Sequence, residues 1–507
     1  MPQFKKIMFD LNKLPYRLFI TALLAGAGLS SCTKLIEIDP PISTVGTEIV
    51  FKNDQNANAA LAAAYSLMAS EDGEQVSAFN GGLTIGGGLL SDELELTYGS
   101  QNELLYPYNT CQMVKADPYS VTYWAKPYRI IYTVNSVLEG LASANNISDS
   151  TRQRITGEAK FLRAYAYFLL VNCFGEVPLI MVTDVNQNMS KGRSPVPAVY
   201  AQIEADLKEA EALLQDNYTA TGNNKSQVNK YGAATMLARV YLYQQKWAEA
   251  AAQADLVINS RKYQLTALEK TFEPNSQEAI WQLQGSSQGM GQLPEAFMVS
   301  PLFKLSDYPD MEELYTTPDM WSSLSFMILP QLKFTTQQVQ AFEAGDQRLV
   351  KWASRTLTPK EEPYNAVPVY YAWKYALADP QGTYKGNLSM MALRLGEVYL
   401  IRAEANAQLG KTTEAAADIN IIRTRAGLGN TTAASRDALL DAVMHERQTE
   451  LFAEGGHRWL DLKRTGKASA VLSKLAYKQP WSAHRLLLPI PISEMIANPK
   501  LMPNPGY

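Results

Sequence analysis

Few residues in this 507-residue chain have the types and spacing to carry chemistry. Gly285-Ser286-Ser287-Gln288-Gly289 has the G-x-S-x-G spacing that exposes a nucleophilic serine on a strand-to-helix turn. A helix should follow such a serine. Met290, Gly291 and Pro294 stand there instead, and no strand–helix alternation surrounds the motif, so it reads as a loop. Gly410-Lys411-Thr412 ends like a phosphate loop, but Ala405 occupies the place of the opening glycine and the run joins two helical patterns. His445-Glu446 lacks the second histidine, four residues on, that a zinc-protease helix needs. Three scattered histidines (His445, His457, His484) and no paired cysteines offer little to a transition metal. Asp92, Glu93 and Glu95, and likewise Asp310, Glu312 and Glu313, could ligate calcium or act as carboxylate pairs. Neither set has calcium-loop spacing, and both read as solvated charge. No cofactor and no catalytic set emerges, and a surface hydrolase using Ser287 is kept only as a remote alternative.

The balance of 46 Lys+Arg against 50 Asp+Glu argues against a nucleic-acid binder, which would carry a basic patch. With 46% hydrophobic and 19% charged residues the chain should fold, and its length exceeds the ~250–300 residues at which one core stops growing. Several cores or a stack of repeats are expected.

At the N-terminus, Lys5, Lys6, Lys13 and Arg17 precede an apolar run from Leu18 to Leu29, too short for the ~20 residues of a spanning helix. Residues 1–31 therefore read as a signal peptide. Leu29-Ser30-Ser31-Cys32 resembles a bacterial lipobox, in which Cys32 is acylated and opens the mature chain. Each buried CH2 of an acyl chain contributes ~0.8 kcal/mol, so two or three chains anchor stably. Residues 32–50, with Pro40 and Pro41, suit an extended tether. Cys173 reads as a small buried hydrophobe, and a Cys111–Cys173 bridge is left open.

Within 51–507, apolar spacing marks amphipathic helices. Phe161, Leu162, Tyr165, Phe168 and Leu169 share one stripe, ended by Gly175 and Pro178; Tyr200, Ile203, Leu207, Ala210 and Leu214 share another. Leu237, Ala238 and Tyr241 precede Trp247, Ala250, Ala254 and Ile258 much as Leu395, Tyr399 and Ala403 precede Ala415, Ile419 and Ile422. Both segments resemble the tetratricopeptide helix hairpin, a unit that buries its faces only by stacking, and 123–144 with 151–173 is a third candidate. About 266–388 the helical period fades among prolines that include Pro309, Pro318, Pro363 and Pro368, and a second irregular stretch covers 81–117. The fold expected is all-α, a scaffold of tetratricopeptide-like helix pairs with long irregular loops and minor β-hairpins. Long loops on a rigid scaffold are where binding usually resides.

Several blocks in order resemble the SusD/RagB family of outer-membrane nutrient-binding lipoproteins. They are Glu158-Ala-Lys-Phe-Leu-Arg-Ala-Tyr through Phe174-Gly-Glu-Val-Pro178; Leu395-Gly-Glu-Val-Tyr-Leu-Ile-Arg-Ala-Glu404; Glu446-Arg-Gln-Thr-Glu-Leu451 with His457-Arg-Trp-Leu-Asp-Leu-Lys-Arg464; and Pro489-Ile-Pro through Asn504-Pro-Gly-Tyr507. The resemblance implies a non-catalytic, surface-exposed lipoprotein of the outer membrane. Such a protein covers a SusC-like TonB-dependent transporter and passes it glycans or, in one branch, oligopeptides. Arg163, Arg402, Glu446, Arg447, Arg458 and Asp461 are expected to be paired charges fixing helix packing. A glycan site needs aromatic faces for sugar C–H groups, and only loop rings are free for this. On location alone, Tyr98, Tyr106, Tyr108, Tyr315 and Trp321 are expected to contact ligand, with Asn109 for hydroxyls.

Overall fold

Helix starts are fixed by side chains that satisfy the first free amides. The computed structural model describes residues 50–70, 78–284, 298–301, 304–375 and 388–507. Cys32 and Ser287 lie outside the described residues. The main helices are α1 (Asp54–Ala69), α2 (Leu83–Leu90), α3 (Pro118–Ser143), α4 (Asp149–Phe174), α5 (Val196–Leu213), α6 (Lys230–Tyr243) and α7 (Trp247–Asn259). They continue with α8 (Pro309–Tyr315), α9 (Pro318–Ile328), α10 (Leu395–Gln408), α11 (Thr412–Arg425), α12 (Arg436–Glu450) and α13 (His457–Arg464). Asn53, Asp117, Ser148, Asn229 and Ser435 each accept from the amide three residues on, a cap that contributes about 1 kcal/mol. Gly175 ends α4 at φ +74°, a conformation that a Cβ disfavours.

From α3 to α7 each helix packs on the next, and α10 continues the stack through α11 and α12. The two look-alike hairpins, α6–α7 and α10–α11, are neighbours, because α7 lies on α10. Ala250, Ala254, Ala403 and Ala407 are fully buried, and their small side chains let helices approach closely. Arg402 then clamps three helices, reaching Asp418 at 2.7 Å and Asp255 at 2.6 Å. Arg163 pairs with Asp206 at 2.7 Å between α4 and α5, and Arg447 with Asp461 at 2.7 Å between α12 and α13. The scaffold is all-α and built of helix pairs, and the family-block charges are paired as expected.

Three expectations are corrected and the open question of the Cys111–Cys173 bridge is closed. Pro309 and Pro318 do not break helices; they sit in the first turns of α8 and α9, where proline's missing N–H costs nothing. Residues 83–90 form a helix despite three glycines, because α2 is pressed against other backbone: a Cβ on Gly87 would stand 2.8 Å from Gly456 Cα. Cys111 and Cys173 are separate buried thiols, with Cys111 Sγ 3.6 Å from Lys478 Nζ. The β-structure is mostly not hairpins. Among the described residues six short strands, β1 (Leu94–Leu96), β2 (Ala279–Gln284), β3 (Leu332–Phe334), β4 (Ala353–Thr356), β5 (Val369–Ala372) and β6 (Ser389–Arg394), form three antiparallel pairs, β1–β3, β2–β6 and β4–β5, and only β4–β5 joins strands consecutive among them. The other two fasten distant segments together.

A buried ion network ties the loop-rich insertion to the stack. Arg394 reaches Glu278 at 2.9 Å, Glu450 at 2.6 Å and Glu454 at 2.7 Å. Arg348 reaches Asp346 at 2.8 Å, Glu446 at 2.9 Å and Glu450 at 3.3 Å. Arg425 joins Glu278 and Glu450, Arg423 joins Glu446, and Lys374 joins Glu454. Burial is offset only because every charge has a partner. The three arginine cations around Glu450 hold its carboxyl well below the usual range against the opposing effect of burial.

Candidate functional site

The loop residues expected to meet ligand are placed by the β1–β3 ladder. Leu94 and Leu96 point into the core, while Glu95 between them turns outward and pairs with Lys333 at 3.1 Å. The ladder extends at both ends: Thr335 N donates to Glu93 O at 3.1 Å and Thr97 N to Gln331 O at 2.9 Å. This zipper delivers Tyr98 to α9. Burial raises the Tyr98 phenol, and its oxygen, turned toward Ser325, makes no well-formed hydrogen bond. Asn102 Nδ2 donates to Gln331 Oε1 at 3.3 Å, and Tyr106, two-fifths exposed, follows on the same segment.

α9 is the centre of this face. Trp321 is buried with Leu305, Ile328 and Leu329, and Tyr315 packs partly on the same cluster. The ring of Tyr364 meets Trp321 edge-on at 5.7 Å and stays 38% exposed, while Phe326 is 68% exposed. Tyr364 rides on the tight β4–β5 connection. There Ala366 N donates to Pro359 O at 2.8 Å and Thr358 Oγ1 to Val367 O at 2.8 Å. Ala366 holds φ +56°, a conformation costly for a residue with a Cβ. Leu314 on α8, Met327 on α9 and Val367 in the β4–β5 connection are also exposed. Accessible rings such as Tyr364 can stack flat apolar surfaces, and Asn102, Gln331 and the Glu95–Lys333 pair, beside Tyr98 on the ladder, can exchange hydrogen bonds.

Three expected contact residues face inward instead. Tyr108 is fully buried and donates to Asp117 Oδ2 at 2.6 Å, the carboxylate that caps α3. Its register in the turn 106–109 sends it to the core and Tyr106 to solvent. Asn109 is buried, its Oδ1 accepting from Leu96 N at 3.2 Å, so it pins the ladder. Trp321 anchors the platform from beneath. Tyr98, Tyr106 and Tyr315 keep accessible ring surface. Phe326 was signalled by its place in the aromatic-rich insertion, whereas Tyr364 had no local signal beyond a proline-flanked ring.

The carboxylate sets divide. Asp92 and Glu93 are buried, not solvated: Asp92 accepts from Arg458 at 2.7 Å, and Glu93 Oε1 from Ala453 N at 3.0 Å. Burial, opposed by that amide, pushes Glu93 up to about 7. Asp310 and Glu313 are exposed as expected. Among the described residues only Glu343, His445 and Glu446 bring three metal-type ligands together, and Arg423 pairs with both glutamates, at 2.5 Å and 2.7 Å.

A family model described as "SusD family" matches residues 210–507, and one described as "SusD-like_3: Starch-binding associating with outer membrane" matches residues 92–242. A SusD-like protein of Formosa agariphila is 28% identical, covering 96% of this chain and 99% of its own. The chain is also similar to a laminarin-binding SusD-like protein of solved structure, at 26% identity and TM-score 0.71, covering 90% of this chain and 100% of that one. A SusD superfamily protein from Bacteroides vulgatus ATCC 8482 superposes with TM-score 0.74 at 19% identity, covering 90% of this chain and 100% of that one.

Proposed function

We propose that this chain, which belongs to the SusD family, is a non-catalytic lipoprotein that binds neutral glycan oligomers at the outer membrane and delivers them to a TonB-dependent transporter. The observation that carries the reading is the α9-centred cluster, where Trp321 holds the accessible ring of Tyr364, Tyr315 packs on the same cluster, and Phe326 stands exposed on α9 itself. Rings held by a ladder and a tight loop lose little freedom on binding, which favours weak, repeated stacking on a polymer. The laminarin-binding relative and the starch-binding description of a matched family model support a glycan as cargo.

In this reading residues 1–31 are a signal peptide, Cys32 carries the lipid, residues 32–50 form the tether and 51–507 the binding body. No helix among the described residues is long and apolar enough to cross a membrane. The exposed aliphatics Leu314, Met327 and Val367 favour a second reading, capture of oligopeptides. Affinity gels and calorimetry with laminarin, starch and a peptide pool separate the two. Polysaccharide retardation weakened about fivefold or more by Tyr364→Ala together with Phe326→Ala is expected. Retention of peptides with no polysaccharide bound would reverse the order.

A further inference from the structure

Helix α3 carries a second set of rings that shares no residue with the α9 face. Trp124, Tyr128 and Tyr132 recur every fourth residue, so they line one side of the helix at about 6 Å per step. Their depth is graded: Trp124 is buried, Tyr128 half-buried and Tyr132 53% exposed. Together they descend into an open concavity of about 480 Å³ whose lining includes Arg129, Thr133 and Glu494. A stripe that served only the core would be covered by a neighbouring element along its length. This one ends in a half-exposed ring over open volume.

The fittings of the concavity are polar and fixed. Tyr128 donates its hydroxyl to Pro178 O at 2.9 Å, which locks its ring, and that ring lies 5.2 Å from Trp124 at 47°. The indole N–H of Trp124 engages Glu494, whose carboxyl is raised by burial against that contact. Thr133 donates its hydroxyl to Arg129 O at 2.9 Å and keeps oxygen lone pairs free to accept. A guanidinium, a carboxylate and a hydroxyl around aromatic faces offer donors and acceptors together, and the volume is that of a small-ligand cleft of ~300–1,000 Å³ rather than a protein-sized patch.

We infer that this side of α3 is a second saccharide site, in which Tyr132 stacks on a pyranose ring and Arg129, Thr133 and Glu494 pair with its hydroxyls. The two sites would give one chain two holds on the same polymer, raising its retention beyond either alone.

Calorimetric titration of the full chain in detergent with laminarihexaose, maltohexaose and xylohexaose tests this. Wild-type chain should take up two equivalents of at least one hexaose; Tyr132→Ala and, separately, Tyr364→Ala with Phe326→Ala should each leave one. Tyr132→Ala should weaken the α3 site about fivefold or more with an unchanged melting midpoint, because the ring is half exposed. Arg129→Gln should act in the same direction. Binding that survives the loop variant but is lost with Tyr132→Ala would uphold this site while sinking the loop reading. A single equivalent abolished by the loop variant, isotherms unmoved by Tyr132→Ala, or no uptake of any hexaose would overturn the α3 proposal.

Discussion

Replacing Arg394 with methionine removes the cation that three buried carboxylates share. In the native protein its guanidinium donates to Glu278 Oε1, Glu450 Oε1 and both oxygens of Glu454, at 2.6–2.9 Å. Glu450 keeps Arg348 and Arg425, and Glu278 keeps Arg425. Glu454 is left with Lys374 alone, whose ammonium burial has lowered to about 8. The loss therefore concentrates on Glu454, and removing one partner of a buried pair costs about 3–5 kcal/mol. In a chain this long the unfolding entropy is large, so such a loss moves Tm by only a few degrees, and a urea midpoint is the sharper readout. Trp352 fluorescence suits the experiment, because the Arg394, Arg425 and Lys374 cations lie 4.9–5.6 Å from its ring. The triple variant Arg394→Met, Lys374→Met, Glu454→Gln should recover about 1–2 kcal/mol, because it removes the stranded carboxylate together with the ammonium that Glu454→Gln alone would leave unpaired. A single-variant cost below about 1 kcal/mol, or a triple variant no more stable than the single, would refute the assignment.

Two further outcomes are expected. Glu93 is raised from 4.5 to about 7 in the folded protein, so its contribution is fullest below pH 4.5 and is lost as pH rises through 7. Glu93→Gln should thus flatten the stability profile across that window, by up to about 3 kcal/mol; urea midpoints at pH 5 and pH 8 that fall equally in both proteins would contradict it. Trp321→Ala should cost about 3–5 kcal/mol of local stability by emptying the cluster under α9, seen as faster amide exchange over 305–329. A purely superficial Trp321 would instead leave exchange untouched.

The helices with a clean apolar stripe were legible from sequence: α4, α5, and the α6–α7 and α10–α11 pairs follow the residues that mark them. α2 was not, since each glycine weakens an isolated helix by about 1 kcal/mol, and what stabilises this one is contact between Gly87 and the distant Gly456. Pro309 and Pro318 are ambiguous by nature, because the same ring that breaks a helix interior starts a helix well. Charge pairing could be read on both sides for Arg447 and Asp461, which lie in the family blocks, but on one side only for Arg163 and Arg402: Asp206 and Asp255 were not identifiable, since their partnership exists only after the helices stack.

The same distinction explains the proposed binding face. An aromatic in an irregular segment can point outward or anchor the segment, and the choice is made by distant residues. Asp117 draws Tyr108 in, Leu305 and Ile328 cover Trp321, and Trp321 then supports Tyr364 from another loop. Burying one ring is what fixes its neighbour in the open. The ion network extends that logic to the whole insertion: Glu278, Asp346, Arg348 and Lys374 supply two charges of each sign, as many as they would need to pair among themselves. Asp346 and Arg348 do pair with each other, but Glu278 binds Arg394 and Arg425, Arg348 also binds Glu446 and Glu450, and Lys374 binds Glu454. Pairs that cross cannot be broken on one side without stranding charge on the other, so insertion and helical stack hold or fail as one unit. On such a unit the face proposed for glycan would meet its ligand already ordered, the entropy that mobile loops would lose on binding having been spent in folding.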